Sequence, residues 1–275
     1  MIALYNRRST VERAIVSARS QTVAPARIIV VDDGSTDGSA ELAEELGVVV
    51  VRQQNAGPGA ARNRALQDVR TGWTAFLDSD DIWLPDHLAT LLAGAGESDL
   101  VGSNARGVPT GRLVGHPHRG PKQLTSADML FPESPLCTSA IMVRTELARK
   151  VGGFGLMRLG EDRDFWCRLL QHGTGVALPE ITILYAEHSA QVSSDAEEMR
   201  YARRQLIASW ATQPWMTPDL AARIDAVTSW DETRSALRSR KWRSAAISGR
   251  AVLSKRGGIP AVVTAVRYRA ALRDL

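Results

Sequence analysis

Ile28–Val31 and Val48–Val51 are unbroken β-branched runs, and each leads through a polar loop into a stretch of helical pattern. Runs of this kind mark strands buried on both faces. Strand, loop and helix repeated in this order leave few choices of architecture, namely βαβ units and a mostly parallel sheet. The neighbouring segments fit. Ile2–Leu4 reads as a short first strand. Ser9 and Glu12 have capping-box spacing and predict a helix to about Ser20. Ser39–Leu46 and Ala60–Val69 read as helices, the second with Pro58 suited to its first turn. Trp73–Leu77 reads as a strand that runs straight into Asp78. Past residue 100 the pattern loosens. Gly102–Lys122, rich in Gly, Pro and Arg, reads as a long loop. Ala140–Val143 and Ile181–Tyr185 read as strands, Thr145–Val151 and Glu161–Leu170 as helices, and helical signals dominate from Glu197, broken at Pro214, Pro218 and Pro260.

Composition excludes several classes. Charged residues at 23% and hydrophobic residues at 44% are ordinary globular values, so the chain is not disordered as a whole. No run approaches the roughly 18 apolar residues of a membrane span. Cys137 and Cys167 are too few for a disulfide framework or a four-cysteine zinc module. MIALYNRRST has no signal-peptide core, so a cytoplasmic protein is expected. Charge is uneven: residues 1–198 carry a net −6 and residues 199–275 a net +10. This suggests a catalytic unit at 1–195, with halves 1–100 and 101–195, and a basic helical extension at 196–275.

In a doubly wound sheet, ligands bind beyond the carboxyl ends of the strands. Four consecutive strand ends here feed polar residues to that rim: Tyr5-Asn6, Asp32-Asp33-Gly34-Ser35, Asn55-Ala56-Gly57 and Asp78-Ser79-Asp80-Asp81. Three carboxylates in four residues repel one another unless a cation sits among them, and hard oxygen donors suit Mg²⁺ or Mn²⁺. The bland alternative is a solvated acidic turn. A carboxylate at Asp32 can accept an N–H from a polar ring, while Ser35, Thr36 or Asp37 can cap the next helix. Gly57-Pro58-Gly59 is not a dinucleotide fingerprint, because Arg62 stands at the third glycine position. Arg62 is either a phosphate or carboxylate ligand or a surface charge. Glu161 and Asp162 open a helix, as the macrodipole favours, or supply a general base. His188, after the late strand, is structural or a metal ligand.

Taken together, Tyr5-Asn6, Gln21-Thr22, Val31–Asp37, Asn55-Ala56-Gly57, Ala61-Arg62-Asn63, Phe76–Trp83, Gly152-Gly153-Phe154 and Glu161–Trp166 resemble family 2 glycosyltransferases of the GT-A fold, over roughly residues 1–190. The resemblance implies an inverting, metal-dependent transferase that uses a nucleotide-diphospho-sugar donor, UDP-type in our expectation. It implies a base contact at Asp32 with Tyr5 flanking. Asp78 and Asp80 would form the DXD pair with Asp81 beside it, together holding the divalent cation and the ribose, with Asp80 and Asp81 as metal ligands. Asp162 would be the base, with Glu161 adjacent, and His188 a further metal ligand in a Tyr-x-x-His segment. Asn6, Asp33, Asn55, Gly57, Arg62 and Ser79 complete the expected donor site. One departure is Ala3, where the family carries a proline, behind a first strand so short that the true start could lie upstream.

The basic stretch from Arg234 onward suggests a surface helix for an anionic membrane, or helices packed on the body with solvated arginines. The acceptor expected is a glycan or a lipid-linked hydroxyl, and no nucleic acid is expected, since no groove-reading motif accompanies the charge. Two rival readings stand. A sugar nucleotidyltransferase would need a glycine-rich loop after the first strand, and Asn6-Arg7-Arg8-Ser9 has no glycine. A non-catalytic scaffold would have no need of acids at Asp78, Asp80 and Asp162.

Overall fold

The structure, a computed structural model, describes residues 1–238 apart from 117–118, 132–135, 156, 158 and 188–195. Its first half is the expected alternation: β1 (Ile2–Leu4), α1 (Val11–Arg19), β2 (Ile29–Asp32), α2 (Ser39–Glu45), β3 (Val49–Arg52) and α3 (Pro58–Asp68). Strands β4 (Trp73–Ala75), β5 (Leu77–Asp78) and β6 (Ile82–Trp83) and helix α4 (His87–Ala95) follow. The second half holds β7 (Leu100–Val108), β8 (Leu113–Val114), β9 (Lys122–Leu124), α5 (Ser126–Leu130), β10 (Ile141–Arg144), α6 (Thr145–Lys150), α7 (Glu161–His172) and β11 (Gly175–Ala186). Helices α8 (Ala196–Trp210) and α9 (Pro218–Arg238) close the described chain.

Two sheets result. The first is wholly parallel, in the order β3-β2-β1-β5, with Leu4 opposite Asp32 and Ala3 opposite Asp78. Because β1 is flanked on both sides, Ile2 and Leu4 are almost fully buried, as a central parallel strand requires. The second is mixed, in the order β4-β10-β7-β11-β6, and only β7 and β11 run parallel in it. The sheets meet at Phe76. Its N–H donates to the Ile141 carbonyl in the mixed sheet, and the next N–H, that of Leu77, donates to Met1 in the parallel sheet. Its ring is buried against Phe154 and Trp166, edge to face, at 5.4 and 5.5 Å. With Phe165, these rings form the aromatic cluster through which α7, which carries Phe165 and Trp166, packs against Phe76 and Phe154.

Several expectations need correction. Trp73–Leu77 is not one strand: it divides at Phe76 between two sheets. Val48–Val51 is not buried on both faces, because β3 is an edge strand with Val49 37% exposed. Gly102–Lys122 is not a loop. It contains most of the nine-residue β7, which pairs with β10 and β11, and β8. Helix α1 starts at Val11 with Thr10 at its N-cap, and Ser9 makes no side-chain cap there. Among the described residues no helix is long and apolar enough to cross a membrane.

Candidate active site

The carboxyl ends of β1, β2 and β5 open on the same side of the parallel sheet, and short-range hydrogen bonds tie their loops together. Asn6, at a positive φ of 48°, is the connector. Its N–H donates to Ser35 Oγ at 2.9 Å, and its Oδ1 accepts the Thr36 N–H at 2.9 Å. Asp32 is buried at the end of β2. Its Oδ1 accepts the Ser35 N–H at 3.2 Å, and its Oδ2 has no partner among the described residues. Tyr5, next in the chain after Leu4, the residue that pairs with Asp32, is 49% exposed. Arg7 spans the gap to the acidic turn, with Nε 3.4 Å from Asp80 Oδ2.

Asp33 has a different use. Its carboxylate accepts the N–H groups of Ala56 and Gly57 at 2.9 and 2.8 Å and the amide of Gln53 at 2.8 Å, while its own carbonyl accepts the Asn55 amide at 3.0 Å. A carboxylate that accepts several N–H groups is well stabilised inside a protein. Asp33 thereby shapes the Asn55–Gly57 turn, where Gly57 adopts a φ of 93° that disfavours other residues.

The acidic turn separates its four members. Asp78 lies at the end of β5 and Asp80 faces Arg7. Ser79 is buried, and Asp81 is only 1% exposed. Asp81 Oδ2 accepts Ser139 Oγ at 2.5 Å and its Oδ1 accepts the Ala186 N–H at 2.8 Å. Burial and the neighbouring Asp78 carboxylate push the Asp81 carboxyl well above the usual range. Both of its oxygens are thus spent on holding the turn to the 3₁₀ turn Thr138–Ala140 and to the end of β11. Among the described residues no three His, Cys, Asp or Glu side chains converge as a complete cation cage. His188 lies outside the described residues.

Arg62 links this rim to α7. It is buried on α3, donating from Nη2 to Asp78 Oδ1 at 2.6 Å and from Nη1 to Glu161 Oε1 at 3.1 Å, with its guanidinium 5.2 Å from the Phe154 ring centre. Burial works against its charge, but Asp78 and Glu161 outweigh that and hold it above its ordinary value. Glu161 is itself buried. Burial, then the adjacent Asp162, push it up to about 7 against the pull of Arg62. Asp162 is less buried. Its Oδ2 accepts Thr138 Oγ1 at 3.3 Å and its Oδ1 accepts the Arg163 N–H at 2.7 Å.

Of the expected site residues, Asn6, Asp32, Arg62, Asp78, Asp80, Glu161 and Asp162 follow one another along one rim, through hydrogen bonds and through neighbours in the chain: Asp32 to Ser35 to Asn6, Arg7 to Asp80, Asp78 to Arg62 to Glu161, then Asp162. Three further residues complete it: Asn63 and Gln21, from the motifs quoted above, and Ser139, from outside them. Ser139 bridges Asp81 and the Asp78 N–H, and it accepts the Trp83 indole N–H through its carbonyl at 2.8 Å. Asn63 clamps Phe154 through 2.7 and 2.9 Å bonds. Gln21 is a buried clip, donating to Leu84 O and accepting the Leu88 N–H. The residues near Ser139 and Gln21 carry no acid or glycine signal that would have exposed these roles.

Comparison with known proteins gives the same direction. The model for "Glycosyl transferase family 2" matches residues 1–152. The succinoglycan biosynthesis protein ExoW of Rhizobium meliloti is 45% identical over 84 residues, 28% of this chain and 26% of that protein, so the match spans about a quarter of its length. Among solved structures, S. aureus TarS 1–349 in complex with UDP-GlcNAc has a TM-score of 0.65 at 21% identity, covering 86% of this chain and 71% of that one. The mannosyltransferase PcManGT from Pyrobaculum calidifontis, in complex with GDP-Man and Mn²⁺, has a TM-score of 0.61 at 16% identity, covering 98% and 78%. The fold is GT-A.

Proposed function

The chain belongs to glycosyl transferase family 2, and from that premise we propose that it moves a sugar from a nucleotide-diphosphate donor, UDP-type, to an acceptor hydroxyl with inversion, in the synthesis of a cell-surface glycan or glycolipid. The observation that carries this is the continuity of the rim: acids from β2, the turn after β5 and α7 are joined by Asn6, Arg7 and Arg62, through hydrogen bonds and through neighbours in the chain. A donor laid along it would meet Tyr5 and Asp32 at its base and Asp78 and Asp80 toward its pyrophosphate. The acceptor hydroxyl would lie at Asp162. Of the acidic turn, Asp80 fits a divalent cation, since Mg²⁺ and Mn²⁺ use one or two protein carboxylates and take the rest of their ligands from phosphates and water. Asp81 does not fit, because both of its oxygens are taken inside the fold. Such a cation, Mn²⁺ or Mg²⁺, would supply charge neutralisation for the leaving diphosphate.

The proton balance is simple. Asp162 takes the acceptor hydroxyl proton as that oxygen bonds to the anomeric carbon. The bond from this carbon to the diphosphate oxygen breaks on the opposite side, and the nucleoside diphosphate leaves with the electron pair. Glu161, buried and paired with Arg62, is not the base. Asp162→Asn is expected to lower kcat by about 10³-fold or more, the scale of a lost general base, while leaving nucleotide affinity within a few-fold. Nucleotide release measured over a panel of nucleotide sugars with Mn²⁺ checks it, and normal turnover in the variant would reject Asp162. Asp80→Ala should remove the Mn²⁺-dependent part of UDP affinity in calorimetry. Lipid-linked acceptors would bring the basic end of the chain to an anionic membrane surface.

A further inference from the structure

Three residues of α3 grip the segment that leads into α7. Asn63 holds both the N–H and the carbonyl of Phe154. Gly59 lets this segment approach closely: a Cβ there would sit 3.1 Å from Glu161 Cγ and 3.3 Å from Phe154 Cβ, a tight contact that the neighbours would have to yield to. Arg62 takes the Glu161 carboxylate and, with the other arm of its fork, the Asp78 carboxylate. The Glu161 stem is thus caged by the α3 backbone and its head by Arg62. The Arg62 side chain is only 8% exposed, and each of its terminal nitrogens donates to a carboxylate. This is a poor placement for a direct contact with a phosphate. It suits a fastening between two parts of the site, because a guanidinium fork fixes distance and angle to two carboxylates at once.

We propose that Arg62 and Glu161 are positioning residues: together they lock the donor-side acid Asp78 to the start of α7, so that Asp162 is held at a fixed place relative to the bound donor. This rests on the transferase reading for its kinetic part, while the fastening itself does not depend on it. It replaces a donor-contacting Arg62 and a catalytic Glu161 with a strut.

The test uses the full chain and the variants R62K, E161Q and R62K/E161Q. The first probe is the nucleoside diphosphate that the wild type binds best among UDP, GDP, CDP and ADP, titrated calorimetrically with Mn²⁺. Its affinity is expected to stay within about threefold in all three variants. The second readout is kcat with whichever nucleotide sugar the wild type turns over. It should fall about 30-fold or more in each single variant, with little further loss in the double variant, because lysine cannot span two carboxylates and the two residues act through one link. A tenfold or greater loss of nucleotide affinity in R62K with kcat retained would make Arg62 a donor ligand and overturn the proposal. Multiplying losses in the double variant would overturn it too. The third readout needs no turnover: denaturation midpoints of the single variants should be non-additive, and additive shifts would reject the strut. If the wild type transfers from no donor while the midpoints couple, the transferase reading fails and the fastening stands.

Discussion

Glu161 and His87 are both buried, and burial moves their stability contributions in opposite directions with pH. The carboxyl of Glu161 is pushed up to about 7 by burial and then by Asp162, from an ordinary 4.5. Between those values the folded chain holds more protons than the unfolded chain, so this group makes stability fall as pH rises. His87 lies against Trp83, its Nδ1 2.7 Å from Thr182 Oγ1, and burial holds it down to about 3 from 6.5. There the unfolded chain holds more protons, so stability falls as pH drops through that window. From pH 4.5 to 6.5 the two slopes partly cancel. In urea titrations, Glu161→Gln should therefore make stability climb more steeply with pH, and His87→Asn should make it climb less. Each changes the slope by up to about 1.4 kcal/mol per pH unit. Identical slopes in variant and wild type would show that the group titrates alike in the folded and unfolded chain. The same two residues mark what a linear sequence discloses at this scale. It shows which acids exist; it does not show which are already occupied. Asp33 and Asp81 look like ligands because their partners, Gln53, Ala56, Gly57, Ser139 and Ala186, come from other elements.

At the scale of elements, what was legible is what local chemistry decides. The β-branched runs give β2 and β3, and Pro58 opens α3 as its fixed φ favours. What was not legible depends on distant packing. Strand β7 reads LVGSNARGV, a loop composition. At Gly102 a Cβ would fall 2.2 Å from Leu136 Cδ2, so the Leu136 side chain occupies the space that the glycine leaves. Ser103 bonds Thr182, and Asn104 bonds the backbone of His116 and Pro179, so its polar residues are satisfied inside the sheet. Period and propensity carry no trace of those partners. The Gly152-Gly153-Phe154 turn shows the same dependence. Gly153 has a φ of 68°, and a Cβ would fall 2.2 Å from Asn63 Oδ1, the atom that accepts the Phe154 N–H. Gly153→Ala should thus strain the left-handed backbone and break the Asn63 clamp, costing about 2–4 kcal/mol. Asn63→Ala should cost about 1–3 kcal/mol for the clamp alone. Equilibrium denaturation checks both, and a neutral Gly153→Ala would mean that the bracket from α3 does not hold this turn.

On the scale of the whole molecule, the C-terminal hairpin is part of the core around the site. Leu206, Trp210, Met216 and Ile224 pack in the same cluster as Phe154, Phe165 and Trp166, and the Trp210 indole donates to Asp164 on α7 at 3.2 Å. Two arginines of this hairpin are answered across it: Arg203 pairs with Asp231, and Arg204 with Glu232. The basic surplus therefore lies farther on, where residues 239–275 hold nine Lys and Arg against a single Asp. This segment is outside the described residues, and its charge can act on a partner without being needed to neutralise the hairpin. Each basic residue near an anionic leaflet is worth about 1 kcal/mol, so replacing Arg240, Lys241 and Arg243 with Gln should weaken vesicle binding by about 100-fold. The full-length chain should sediment with phosphatidylglycerol vesicles at low salt, much less with phosphatidylcholine, and less again as salt rises, since screening acts on exposed charge. The triple variant should keep the wild-type denaturation midpoint, because the ion pairs and apolar contacts of α8 and α9 are untouched. Equal sedimentation with neutral and anionic vesicles, or none with either, would remove the membrane from the proposal and leave the tail charge to another role. A lowered midpoint would instead place these three side chains among the contacts that hold the body together.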